Sequence, residues 1–275
     1  MKEELMPSDP ITIYFENELE FVPFEGLHFD GDFTAELYHE LRQPGAGTRY
    51  KNLTLDPSLL LSTSETTSGG NISRRCELDG HRISVIEKRT TSTVEQFADS
   101  VGDVLKAMHK VRVDNPPIYS QRCRIQALWK PSNCESPLIL LAHHASRVLD
   151  KIDSFNRPPS FFGMRFRFAP AAEEDLEAFP DGKERNDFST VRYEVYADDP
   201  DYIWIEVDSQ RFVSSMKITQ IDEISSIIRE THDFVTDNGV KFLEQFDLAE
   251  SPTDDDSDND EDQDYDSDDN ESGDD

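Results

Sequence analysis

The sequence predicts an α+β protein: a tandem pair of similar strand-helix-three-strand-helix units with antiparallel sheets, followed by a disordered acidic C-terminal tail. Three observations carry this. Short runs with period-two alternation are interleaved with longer runs at helical spacing. The order of these elements starts afresh after Asn115-Pro116-Pro117, and residues 254–275 hold 14 Asp or Glu and no Lys or Arg. The expected organisation is a first unit at 1–114, a second at 115–250 and a tail at 251–275.

In the first unit, strand-like runs at 11–15 and 19–22 precede a helix marked by Phe33, Leu37 and Leu41. Asp30 or Asp32 can cap that helix and Pro44-Gly45 stops it. A strand is expected at 49–55. The Ser, Thr and Gly content of 62–70 predicts a long surface loop. Residues 72–78 and 81–87 read as a hairpin across Asp79-Gly80, with Gly suited to the positive φ of a type I′ turn. A capping box at Ser92-Thr-Val-Glu95 opens a helix whose apolar face is Val94, Phe97, Val101, Leu105 and Met108.

The second unit begins with a strand at 119–129. Ser136-Pro137 supplies an N-cap and N1 proline for a helix through Leu138, Leu141, Ala145, Val148 and Ile152 to Phe155. Strands follow at 161–168, 189–196 and 202–207, the last two joined through Asp198-Asp199-Pro200-Asp201. A closing helix from Thr219 carries Ile221, Ile224, Ile228 and Val235, with Asn238-Gly239 as a stop or kink before Phe242 and Phe246.

The chain has 27 basic and 58 acidic residues, a net charge of −31; without the tail's acids, 27 face 44 and the body carries −17. Such a field opposes generic coating of nucleic acid. Body acidity serves solubility or salty surroundings, whereas the tail suits a decoy for basic partners. With one aromatic, Tyr265, the tail cannot bury enough apolar surface to order itself. Cys76, Cys123 and Cys134 form neither a disulfide framework nor a C-x-x-C zinc pair. A polar N-terminus and the absence of any 18-residue apolar run predict a cytoplasmic protein with no membrane partner.

No phosphate-binding glycine loop appears, no Ser or Cys nucleophile sits beside a placed base, and no cofactor is expected. His143 and His144 are adjacent on a helix, so they point about 100° apart and cannot face one metal together. Asp198, Asp199 and Asp201 lack the spacing of a calcium loop and read as turn residues. Cys123 alternates inward with Ile125 and Ala127.

Strand parity gives the candidate site. Met164, Phe166, Phe168, Val191, Tyr193, Val195, Ile203, Ile205 and Val207 fall on one apolar face. The opposite face collects Arg122, Arg124, Arg165, Arg167 and Arg192 with Tyr196, Tyr202 and Trp204, tempered by Glu194 and Glu206. Arg forks bind carboxylates or phosphates and stack on rings, and sheet aromatics can stack bases. Against a binding role stands simple decoration by cross-strand Arg–Glu pairs. A further arrangement packs the halves together so that the arginines pair with acids of the first.

The segment Val94-Glu-Gln-Phe97, the strand Arg122-Cys123-Arg124-Ile125-Gln126, and Ile205-Glu-Val-Asp208 with the helix after it resemble a sporadically distributed family of uncharacterised bacterial proteins of similar length. The resemblance covers most of 11–247. Where that family has a Gly-Leu-Arg-Tyr-x-Asn type motif, this chain has Arg122 to Gln126, and the resemblance implies no catalytic residues.

The expectation is therefore a non-catalytic binding or regulatory protein whose arginine-and-aromatic face binds a partner, with the tail modulating access. A protein partner is favoured; single-stranded nucleic acid is disfavoured by net charge. The alternative is a small-molecule sensor with a ligand between the units among Trp129, Phe161 and Phe162. A hydrolase or transferase with scattered site residues is the third class.

Overall fold

A computed structural model describes residues 9–23, 29–43, 50–55, 59–67, 70–111, 115–148, 159–168 and 187–247 of the chain. The tail lies outside them. The strands are β1 (Ile11–Phe21), β2 (Asn52–Thr54), β3 (Leu59–Thr67), β4 (Gly70–Asp79), β5 (Arg82–Lys88), β6 (Pro117–Trp129), β7 (Gly163–Phe168), β8 (Phe188–Val195) and β9 (Ile203–Lys217). The helices are α1 (Gly31–Leu41), α2 (Val94–Val111), α3 (Pro137–Ile139), α4 (Ile221–Asp233) and α5 (Val240–Glu244), with π-helical segments at Leu140–Ala145 and Phe234–Gly239.

All nine strands form one sheet in the order β2-β3-β4-β5-β1-β6-β9-β8-β7. Every pairing is antiparallel. The sheet is thus continuous across the expected unit boundary, where β1 and β6 pair from Ile11 opposite Leu128 to Phe21 opposite Ile118. Outward from that centre the two sides follow the same rule, since β1 neighbours the last strand of its meander, β5, and β6 neighbours the last of its own, β9.

Alternation puts Phe15, Leu19 and Phe21 of β1 and Cys123, Ile125 and Ala127 of β6 into the core, where Phe97, Leu105 and Met108 of α2 and Ile224 and Ile228 of α4 meet them. Helix α2 packs against both α1 and α4. At the centre of this face two polar side chains are buried. Gln121 Nε2 donates to Asn17 Oδ1 at 2.7 Å and to the Ile224 carbonyl at 3.0 Å, tying β1, β6 and α4 at one point.

Local chemistry explains the boundaries and several departures from expectation. Asp30 caps α1, its Oδ1 accepting from Phe33 N at 2.9 Å. The box opening α2 lies one residue later than predicted: Gln96 N donates to Thr93 Oγ1 at 3.3 Å and Thr93 N to Gln96 Oε1 at 3.1 Å. The two-residue hairpin loop is Gly80-His81, because Asp79 pairs with Arg82. Of the two loop residues only Gly80 takes a positive φ, 57°, the II′ pattern rather than I′.

Of the predicted loop at 62–70, residues 62–67 belong instead to β3 and Gly70 opens β4, while 68 and 69 lie outside the described residues. Leu61 and Thr63 are buried while Ser64 and Glu65 are exposed, so a half-solvated strand rich in Ser and Thr had the composition of a loop. The runs at 11–15 and 19–22 are one strand, whose polar residues Glu16, Glu18 and Glu20 face outward. The helix expected to reach Phe155 has left helical structure by Arg147, which has φ 53°; Ile152 and Phe155 lie outside the described residues. Asn238-Gly239 does not stop the closing helix but falls in its π-helical segment. Four strands, not three, follow α1. No described helix is long and apolar enough to cross a membrane.

Candidate binding surface

The face opposite the helices is built by parity. Residues Glu16, Glu18 and Glu20 of β1, Arg122, Arg124 and Gln126 of β6, and Trp204, Glu206 and Asp208 of β9 are all partly exposed there. Alternating carboxylates and guanidinium groups at cross-strand distance form fixed pairs.

Arg122 Nε and Nη2 donate to the two Asp208 oxygens at 2.8 and 2.6 Å. Arg124 Nη1 donates to Glu16 Oε2 at 3.1 Å, and its Nη2 lies 3.5 Å from Asp208. Gln126 Nε2 donates to Glu206 at 2.7 Å. Arg192 Nε donates to Glu194 and its guanidinium lies 5.1 Å from the Trp204 ring centre. Burial pushes the Asp208 carboxyl up, but the hydrogen bonds and charge of Arg122 and the charge of Arg124 outweigh it and hold the group below its ordinary value.

The structure therefore joins Arg122, Arg124, Arg192 and Trp204 into one cross-strand network, and the Arg124–Glu16 pair links the second half to an acid of the first. Tyr196 and Tyr202 sit apart, at the end of the β8–β9 hairpin, where Tyr196 N donates to the Tyr202 carbonyl at 2.9 Å. The Tyr196 hydroxyl donates to Asp198, and Lys130 lies 5.6 Å from the Tyr202 ring centre. Arg165 and Arg167 are exposed on β7, the last strand of the sheet. Arg165 stands opposite Arg192 in register, and Arg167 lies over the Phe188 ring at 4.4 Å.

A second feature escaped the sequence reading. Under the β7 end of the sheet, between its apolar side and the closing helical run, lies a cleft of about 1000 Å³ whose walls include Phe166, Phe168, Phe188, Phe212, Phe234 and Phe242. The Tyr193 ring stacks on Phe242 at 5.4 Å, and its hydroxyl donates to the Gly239 carbonyl at 3.3 Å. The sequence signal was the shared parity of Phe166, Phe168, Val191 and Tyr193. Phe212 lies beyond the predicted end of its strand, Phe234 is not among the helix residues singled out from the sequence, and Phe242 follows the expected stop or kink at Asn238-Gly239.

The aromatics expected to surround a ligand, Trp129, Phe161 and Phe162, are not brought together in this cleft. Trp129 is buried in the core and neither it nor Phe161 or Phe162 lines this cleft. Nor does the cleft lie between the halves; its walls all come from β7 onward. No family model matches the chain, and no curated protein matches it.

Proposed function

We propose that this is a non-catalytic binding or regulatory protein built of two related α+β units, 1–114 and 115–250, whose open arginine-bearing sheet face recognises a protein partner while the acidic tail modulates access. The observation that carries the reading is an imbalance on that face. Arg75, Arg82, Arg122, Arg124 and Arg192 each hold a carboxylate, at Glu77, Asp79, Asp208, Glu16 and Glu194 respectively. Arg165 and Arg167 hold none among the described residues.

In a chain of net charge −31, two exposed guanidinium groups that meet no acid among the described residues are placed to meet an external one. The arginines paired among the described residues shape the face; Arg165 and Arg167 are its exposed cations at the β7 edge. The unit reading is supported by the order of strands about β1 and β6.

The test compares full-length protein with a version lacking 254–275 for binding of a soluble acidic polypeptide at low salt. Binding should strengthen on truncation and be lost again when Arg165 and Arg167 become Glu. Equal binding by all three proteins across salt concentrations would sink the reading.

A second reading has its own observation: the aromatic cleft is at the upper end of the volumes that hold small ligands. A ligand that co-purifies with the protein and is displaced by Phe234→Arg would favour it.

A further inference from the structure

We propose that the outer edge of β7 takes up an extended peptide, in which acidic residues alternate with apolar ones, as an added strand of the sheet. This deepens the binding reading by naming the place, the partner's chemistry and the mode of recognition.

The edge is the first ground. β7 pairs with β8 from Gly163 opposite Glu194 to Phe168 opposite Ser189, and has no strand on its other side among the described residues. An edge strand presents a row of backbone donors and acceptors to an incoming chain, which is the basis of strand addition. Its six residues offer several such groups.

Parity is the second ground. Along Met164-Arg-Phe-Arg-Phe168 the two arginines face one side of the sheet and the two phenylalanines the other. Phe166 and Phe168 remain 38% and 46% exposed where they line the cleft. A strand laid beside β7 has the same period of two. Its alternate side chains therefore fall beside Arg165 and Arg167 on one side and beside Phe166 and Phe168 on the other, so acid-apolar alternation satisfies both.

Charge chooses among occupants. Basic residues on an edge strand ordinarily discourage self-pairing. Here a second copy of β7 would bring arginines against arginines, and a basic peptide would fare no better. An acidic strand turns that repulsion into attraction, so the same residues that protect the edge select its partner.

The experiment uses the full-length protein and fluorescent eight-residue peptides read by anisotropy. The probe alternates Glu with Leu or Val; one control replaces Glu by Lys, and another keeps the Glu probe's side chains but N-methylates the backbone amides that would face β7. The Glu probe should bind, the Lys peptide should not, and N-methylation should weaken binding tenfold or more. Arg165→Glu with Arg167→Glu should remove binding while the circular dichroism spectrum stays unchanged, and Lys106→Gln, exposed on α2 away from this face, should have no effect.

If the N-methylated peptide binds as well as the Glu probe, strand addition is overturned while recognition of acids by the face survives. If no alternating peptide binds but the acidic polypeptide of the earlier test does, the edge is the wrong place. If nothing acidic binds, both proposals fall together.

Discussion

Arg122 on β6 and Asp208 on β9 meet fork to fork although 86 residues separate them, with both nitrogen–oxygen distances at or below 2.8 Å. The pair lies diagonally across the ladder, since Arg124 is the residue directly opposite Asp208. One carboxylate thereby serves two guanidinium groups and locks two strands in register. Such bidentate contacts are among the stronger polar interactions of proteins.

The side chains are 37% and 13% exposed, so the pair stands between the surface and buried regimes. Arg122→Met or Asp208→Asn should each cost about 1–2 kcal/mol at pH 7, and the double variant less than their sum. The sign of the pH dependence follows from the lowered Asp208 value. Stabilisation is fully present above the ordinary aspartate value of about 3.9 and is lost as pH falls through the lower folded value. Urea unfolding of the four proteins at pH 7 and near pH 2 checks this, and a coupling that persists in acid would contradict it.

Asp247 supplies a second prediction. Its carboxylate accepts from Ser132 N, Asn133 N and Cys134 N at 2.7, 3.0 and 2.7 Å, and its carbonyl accepts from Asn133 Nδ2. Asp247→Ala leaves three amides of the β6–α3 connection without their acceptor. A loss of roughly 2–3 kcal/mol is expected, read as a lower midpoint in chemical denaturation. Asp247→Asn, which keeps one acceptor oxygen, should lose less.

The thiols give a third. Burial pushes Cys123 up to about 12 and raises Cys76 as well, while Cys134 is half-buried. Because the thiolate is the reactive form, native protein at pH 8 should react with a chromogenic disulfide at Cys134 alone. All three should react once the chain is unfolded in urea. Rapid labelling of Cys123 in the native state would place it outside the core described here.

Much of the architecture was legible because burial writes a period into each element. The inward set Cys123, Ile125 and Ala127 could be read from alternation, and so could the inward residues of β8 and β9. Register and pairing could not. That Arg124 would reach Glu16 depends on which strands become neighbours, and the single sheet uniting the halves leaves no local mark on β1 or β6. The arginines share one side of the sheet, yet composition could not distinguish Arg122, held by Asp208, from Arg165, which meets no acid among the described residues. The cleft was hidden for a related reason: its rings come from strands and helices distant in sequence, each of which looks like ordinary core when taken alone.

The tie between Asn17 and Gln121 spans 104 residues of chain, and the nearer side of β1 is reached only by contacts such as Ser84 to Glu18, 66 residues apart. The middle of the sheet is therefore assembled from segments that emerge far apart during synthesis. β1 must wait for β5 before it has any strand beside it and for β6 before it has two. Closing loops of this length before their contacts can reward them makes for slow folding. During that interval the first strand to be made remains an open template, and its row of outward glutamates keeps it from pairing with other acidic chains while it waits.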